Sequence, residues 1–222
     1  MSVNNISVII PTLNAGAMID GLLSALKRQT ITPAEIIVVD SSSDDDTQAI
    51  VRAKHPDVRL LVIDRKDFNH GGTRDYVLRK SSGEFVCFLT QDALPKNNEF
   101  LARIVKPFSD EHVALVYGRQ LPRADARPAE RIVRGYIYRP QSRTFTQADV
   151  KRLGINAFRA SDVCAAYRRS AYLEVGGFEN PVLTNEDMFI AARFFVDCIF
   201  RYTGNRKGVL DAKRAARKSA GQ

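Results

Sequence analysis

Four groups of residues in this sequence have the types and spacing to do chemistry. Leu89-Thr90-Gln91-Asp92 puts a carboxylate directly after an apolar run. At a strand exit, such a group suits a hard divalent cation, Mg2+ or Mn2+, with diphosphate oxygens and water as the other ligands. Asp40 follows Glu35-Ile-Ile-Val-Val39 in the same way, and Ser41 and Ser42 come next. Phe68-Asn-His-Gly-Gly-Thr-Arg74 combines two glycines, which let a backbone approach a ligand, with an arginine that would project from a helix start. Finally, Glu186-Asp187 follows the turn Gly176-Gly177-Phe178 and precedes the apolar segment Met188 to Phe200. By itself that acid pair is explained by the positive end of a helix dipole. The usual phosphate loops are missing: there is no GxGxxG after the first apolar run and no GxxxxGK[ST] anywhere, so dehydrogenase and P-loop chemistry are disfavoured.

The elements that must position these groups alternate between short apolar runs and helix-period segments. Ile6 to Ile10 reads as a strand stopped by Pro11, and Ile19, Leu22, Leu23 and Leu26 then recur at helical spacing up to Gln29. Further strands are expected over Glu35–Val39, Val58–Ile63, Glu84–Leu89 and Val113–Tyr117, with helices over Gly71–Lys80 and Asn98–Phe108 between them. The polar run Ser41 to Asp46 suits a loop and a helix N-cap. Continuously apolar strands separated by helices specify an α/β fold with a mainly parallel sheet covered on both faces. Ligands then bind at the carboxyl ends of the strands, where Pro11-Thr12-Leu13-Asn14, Asp40-Ser41-Ser42 and Thr90-Gln91-Asp92 all fall. Leu121 to Arg159 is polar, Arg-rich and Pro-interrupted, and reads as an irregular region over the sheet edge.

Composition narrows the class. The chain has 222 residues, 45% of them hydrophobic, which is ordinary for a globular domain and enough for a core without staples. Cys87, Cys164 and Cys198 are an odd number with no CxxC spacing, and read as buried hydrophobes in a reducing compartment. No stretch reaches the roughly 18 apolar residues of a spanning helix, so a cytoplasmic protein is expected. The net charge of +8 resides mostly in the tail 201–222, with seven basic residues and one acid, which leaves the rest of the chain at +2. A nearly neutral body argues against a nucleic-acid partner. Lys213, Arg214, Arg217 and Lys218 on one helical face offer peripheral contact with the anionic inner face of a membrane.

Ser7-Val-Ile-Ile-Pro-Thr-Leu-Asn14, Glu35-Ile-Ile-Val-Val-Asp-Ser-Ser42, the Asp92 motif, Gly176-Gly177-Phe178 and Glu186-Asp187 occur in the order seen in the inverting, nucleotide-sugar-dependent glycosyltransferases of family 2, which the sequence resembles. Phe68-Asn-His-Gly-Gly-Thr-Arg74, Thr90-Gln-Asp-Ala93 and Val116-Tyr-Gly-Arg-Gln-Leu-Pro-Arg123 resemble the bacterial rhamnosyltransferases of O-antigen and related polysaccharide assembly. The likeness spans about residues 4 to 195. It implies a single GT-A type, Rossmann-like domain over 1–200, with a nucleotide-sugar half over about 1–120, an acceptor half over about 121–200 and a separate basic tail over 201–222.

The resemblance also implies roles. Thr12 and Asn14 would line the nucleotide pocket, Asp40 would accept from the pyrimidine ring, and Arg74 would contact the nucleotide. Gln91 stands at the first acidic position of the family's Asp-x-Asp or Asp-Asp motif, which leaves Asp92 as the metal ligand for a Mg2+ or Mn2+ cofactor. Asp187 would be the general base that deprotonates the acceptor hydroxyl, with Glu186 orienting it or binding acceptor. The donor would be a nucleoside-diphosphate sugar, with dTDP-rhamnose favoured, and the acceptor a saccharide or lipid-linked saccharide. Family members commonly continue past the Glu-Asp motif with a His-containing segment, whereas no histidine follows His112 here. The competing expectation is therefore a truncated member that binds a nucleotide sugar without transferring it. A sugar nucleotidyltransferase is disfavoured, because Ile10-Pro-Thr-Leu-Asn14 replaces its glycine-rich signature.

Overall fold

Ile6, Val8, Ile9 and Ile10 are all fully buried, so the first strand must be covered on both faces, and the computed structural model shows how. It describes residues 5–122, 125–181 and 184–196. In chain order the elements are β1 (Ile6–Thr12), α1 (Gly16–Lys27), β2 (Glu35–Asp40), α2 (Thr47–Lys54), β3 (Arg59–Val62), α3 (His70–Lys80) and β4 (Phe85–Leu89). There follow α4 (Phe100–Val105), β5 (Leu115–Tyr117), α5 (Pro128–Ile137), α6 (Gln147–Leu153), β6 (Cys164–Arg168), α7 (Arg169–Glu174) and α8 (Glu186–Val196). The six strands form one sheet in the order β3-β2-β1-β4-β6-β5. All pairings among β1 to β4 are parallel, and β6 runs antiparallel to both β4 and β5.

Each face carries its own apolar layer. One joins Ile6, Val8 and Ile10 to Ile19, Leu22 and Leu26 of α1 and to Leu101 and Ile104 of α4. The other joins Ile9, Ile37 and Val39 to Val77 of α3, Tyr172 of α7, and Ile190 and Phe194 of α8. The apolar segment after the Glu186-Asp187 pair is thus, as far as it is described, a helix packed on the sheet. Register then places the rim. Thr12 lies opposite Asp40, Ile9 opposite Phe88, and Leu89 opposite Cys164. The exits of β1, β2 and β4 and the entry to β6 therefore share one edge.

Four features differ from the sequence expectation. The first strand runs through Pro11 to Thr12. The Thr12 carbonyl accepts from Ser41 on the β2 side, so Pro11 faces the β4 side, where pairing has already ended at Ile9 and no ladder donor is missed. The expected helix over Asn98–Phe108 contracts to α4 followed by a 3-10 turn, Lys106–Ser109, around Pro107. The stretch 121–159 is not wholly irregular: it contains α5 and α6, the latter closed by a reciprocal cap between Thr146 and Asp149. Finally, β6 was not anticipated and separates β4 from β5. Its Cys-Ala-Ala-Tyr-Arg sequence has little strand propensity, and Ala165, Ala166 and Tyr167 become strand because the sheet buries them completely. Cys87 is buried and Cys164 half-buried as free thiols, while Cys198 and the basic tail lie outside the described residues.

Candidate active site

The first half of the rim is built around the hydrogen-bonded carboxylate of Asp40; the neighbouring Ser41 Oγ is buried without a hydrogen-bond partner. Asp40 is fully buried, and its Oδ1 accepts from Thr12 Oγ1 at 3.1 Å and from Ser43 Oγ. Its Oδ2 accepts from the Ser43 N–H at 2.9 Å and Gln48 Nε2 at 2.8 Å. Asn14 has φ +52°, and its Oδ1 accepts from the Asp44 N–H at 2.9 Å. Gln91 clasps the β1 exit: its Oε1 accepts from the Leu13 N–H at 2.8 Å, and its Nε2 donates to the Leu13 carbonyl at 3.1 Å. The amide that replaces an acid here thus ties the exits of β1 and β4 together, and a carboxylate could not supply the donor half of that clasp.

Asp92 is exposed, with its Oδ1 accepting from Thr90 Oγ1 at 2.6 Å. Among the described residues there is no group of three or more His, Cys, Asp or Glu side chains that could hold a metal ion. A single exposed hard oxygen donor such as Asp92 fits a cation whose other ligands come largely from a diphosphate and water.

The second half of the rim is a buried charge cluster. Asn69 starts α3 by accepting from the Gly72 N–H at 2.9 Å. A Cβ on Gly71 would lie 2.9 Å from the Glu179 carbonyl, and one on Gly72 would lie 2.9 Å from the Asn180 side chain. The close approach these glycines permit is therefore to the chain's own 178–180 segment. Arg74, one turn into α3 and 5% exposed, points inward. Its Nη1 donates to Glu186 Oε1 at 2.8 Å and to the His70 carbonyl at 2.9 Å, and its Nε lies 3.9 Å from Asp162 Oδ2. Asp187, the next residue of α8, accepts from the Met188 N–H at 2.7 Å and from the Asp162 N–H at 3.3 Å. Burial, then the neighbouring Glu186, raises the Asp187 proton affinity above that of an ordinary aspartate. Asn185, immediately before the pair, has φ +64°. Together with Asn14 and Ser42 it makes up the non-glycine residues with left-handed backbone among the described residues, and all three flank site residues.

The profile described as Glycosyl transferase family 2 matches residues 7–176. The chain belongs to this family. It is 41% identical over 189 residues to the O-antigen chain rhamnosyltransferase RfbN of Salmonella typhimurium, covering 85% of this chain and 60% of that one. It is 42% identical over 189 residues to WbaN of Salmonella anatum, also an O-antigen chain rhamnosyltransferase, covering 84% and 59%. The chain thus spans about three-fifths of the length of these curated relatives. Glucosyl-3-phosphoglycerate synthase of Mycobacterium tuberculosis, solved with Mn2+, UDP and glucosyl-3-phosphoglycerate, superposes with a TM-score of 0.60 at 20% identity, over 89% of this chain and 67% of that one. That likeness concerns the fold, which is GT-A.

In this family 2 chain the rim brings the expected residues into two groups, Thr12, Asn14, Asp40 and Gln91 in one and Arg74, Glu186 and Asp187 in the other. Asp92 stands at the end of β4. The second group contains a further residue that the sequence expectation lacks, Asp162. Asp162 is 3% exposed, its Oδ1 accepts from Tyr167 Oη at 2.7 Å, and its main chain touches Asp187. The acids legible in the sequence at the sheet rim are those directly after parallel strands. Because β6 is antiparallel, its rim residue comes before the strand, and only knowledge of β6 and its direction would have exposed that signal. No helix among the described residues is long and apolar enough to cross a membrane.

Proposed function

We propose that this chain is an inverting glycosyltransferase that moves rhamnose from a nucleoside-diphosphate donor, dTDP-rhamnose, to a saccharide or lipid-linked saccharide acceptor in bacterial polysaccharide assembly. The likeness to two O-antigen rhamnosyltransferases supports the sugar and the pathway class. The geometric observation that carries the reaction type is Asp187: a half-buried carboxylate at the rim, held by two main-chain N–H groups and kept more basic than usual.

Displacement at an anomeric carbon with inversion needs a base on the face opposite the leaving group, and the transition state has oxocarbenium character. In this reading Asp187 takes the proton of the acceptor hydroxyl as its oxygen attacks the anomeric carbon, while the bond to the nucleoside diphosphate breaks. Glu186 orients the base side by holding Arg74. Thr12, Asn14, Asp40 and Gln91 form the donor side, and the Arg74 charge in the Glu186-Asp187 group would favour the departing diphosphate. Asp92 would hold Mg2+ or Mn2+ against the diphosphate, and that ion would supply further charge compensation on the leaving group. The nucleotide-sugar half corresponds to about residues 1–120 and the acceptor half to about 121–200. We assign the chain to the cytoplasm, with the 201–222 tail resting on the anionic inner membrane face.

Calorimetric titration with dTDP-rhamnose, with and without Mn2+ and with UDP-glucose as comparator, tests the donor. Manganese-dependent binding selective for rhamnose is expected, and equal binding of both sugars would overturn the rhamnosyl assignment. Asp187→Asn is expected to lower turnover by about 10² to 10⁴ with donor affinity nearly unchanged. Near-normal turnover would remove Asp187 from the base role. Deleting residues 201–222 is expected to abolish binding to anionic liposomes, and unchanged binding would refute the membrane contact.

A further inference from the structure

Three carboxylates, Asp162, Glu186 and Asp187, surround one guanidinium, Arg74, and three of these four side chains are more than nine-tenths buried. Three ionised acids against one guanidinium would leave the buried cluster two negative charges in excess, so the acid with the poorest hydrogen bonding is the one that takes up a proton most readily. The contacts indicate which acid that is. Glu186 has a direct 2.8 Å partner in Arg74, and Asp187 accepts two main-chain N–H groups. Asp162 Oδ2 is buried and accepts from nothing, and Arg74 Nε, which faces it at 3.9 Å, is likewise unpaired.

We propose that Asp162 is a positioning residue for the transfer reaction: its main-chain N–H fixes the Asp187 carboxylate, its own carboxyl group, anchored by Tyr167, completes with Glu186 an acidic cradle for Arg74, and its charge state sets the strength of Asp187 as a base. The inference rests on the reading of Asp187 as base for its catalytic meaning, but the coupling between the two aspartates exists with or without transfer. Every element packed against Asp162 contributes a named group. Arg74 comes from α3, Glu186 and Asp187 from the start of α8, and Tyr167 from β6 itself. Cys87 of β4 and Tyr172 of α7 also feel its charge, and burial raises both of their proton affinities, so they remain neutral through the working range.

The expected behaviour follows. Desolvation is the largest influence on Asp162; Arg74 works against it and the Asp187 charge works with it, and the carboxyl group titrates at about 7. Below that pH Asp162 is neutral. As Asp162 loses its proton, the new charge next to Asp187 makes Asp187 the stronger base.

The test is a carboxyl titration of the full chain labelled with 13C at the aspartate side-chain carbons, read by NMR without any substrate. Asp187→Asn and Asp162→Asn assign the two resonances. In the unsubstituted protein one aspartate is expected to titrate near 7, and the Asp187 curve is expected to have two steps. Asp162→Asn should abolish the upper step and leave Asp187 with a single one. Tyr167→Phe keeps the buried ring but removes the hydrogen bond that favours the Asp162 anion, so it should move the Asp162 midpoint up by about one pH unit. It serves as the second variant should Asp162→Asn fail to fold. The proposal is overturned if all aspartates titrate below pH 5, or if the Asp187 curve has one step in the unsubstituted protein. Release of dTDP from dTDP-rhamnose with water as acceptor gives the kinetic arm: its rate should rise in two steps with pH in the unsubstituted chain and in one step in Asp162→Asn, with KM unchanged. No turnover in any form would count against the proposed activity, and the carboxyl curves would still decide the role of Asp162.

Discussion

The two halves of the rim solve opposite electrostatic problems. Around Asp40 every carboxylate oxygen has two donors, supplied by Thr12, Ser43 and Gln48, all within 28 positions of it along the chain. Around Arg74 the hydrogen-bonded acid, Glu186, comes from 112 positions away, acids outnumber the one cation, and Arg74 Nε and Asp162 Oδ2 are buried without hydrogen bonds. A carboxylate saturated in this way stabilises the fold and fixes loop geometry, even though the adjacent Ser41 Oγ is buried without a partner. An unsaturated cluster stores charge that a reaction can use, because buried groups with competing demands are where proton affinities move furthest.

The largest effect that separates the halves should come from Arg74→Ala. It leaves Glu186 and Asp162 buried without a cation, and a stability loss of about 3–5 kcal/mol in denaturant unfolding is expected. If the loss is no larger than that of the Asp40 variant described below, the contrast between the two halves fails. Next comes pH. Asp162 has a folded-state proton affinity raised from the ordinary 3.8 to about 7, so the folded protein binds that proton more tightly than the unfolded chain does. Its contribution is fully present at low pH and fades as pH rises through 7, amounting to about 4 kcal/mol at most. Asp162→Asn should flatten the thermal-melting profile between pH 4 and 8; a profile parallel to that of the unsubstituted protein would sink this account.

Asp40→Asn turns one acceptor oxygen into a donor facing other donors. The expected cost is about 1–3 kcal/mol in denaturant unfolding. The smallest effect should be that of Gln91→Ala, about 1 kcal/mol for the lost Leu13 clasp, accompanied by weaker nucleotide binding in calorimetry as the β1 exit loosens. Unchanged nucleotide affinity would show that the clasp does not shape the donor side.

The parallel half of the fold was legible because its signals are local. The apolar runs of β1, β2 and β4 are stopped by polar residues, so Thr12, Asp40 and Asp92 could be placed at strand exits from the sequence alone. Glu186 and Asp187 were likewise legible as the first turn of a helix, which α8 confirms. The helices of 121–159 were not, because arginines and prolines mask their periodicity and α5 has no buried residue to mark a face. Nor was the environment of Arg74. Its position after two glycines suggested a side chain offered to a ligand, whereas packing of α3 against residues 178–180 turns the guanidinium into the protein.

The sequence by itself thus determined an α/β chain with a mainly parallel sheet, its family and the acids at the exits of its parallel strands, since hydrophobic period and the residue that ends each run are properties of neighbours in the chain. Tertiary structure alone decided that an alanine-rich segment becomes an antiparallel strand, that Asp162 therefore reaches the rim from the opposite direction, and that three acids share one arginine. Those outcomes depend on burial and on contacts between distant segments, for which the chain carries no local period.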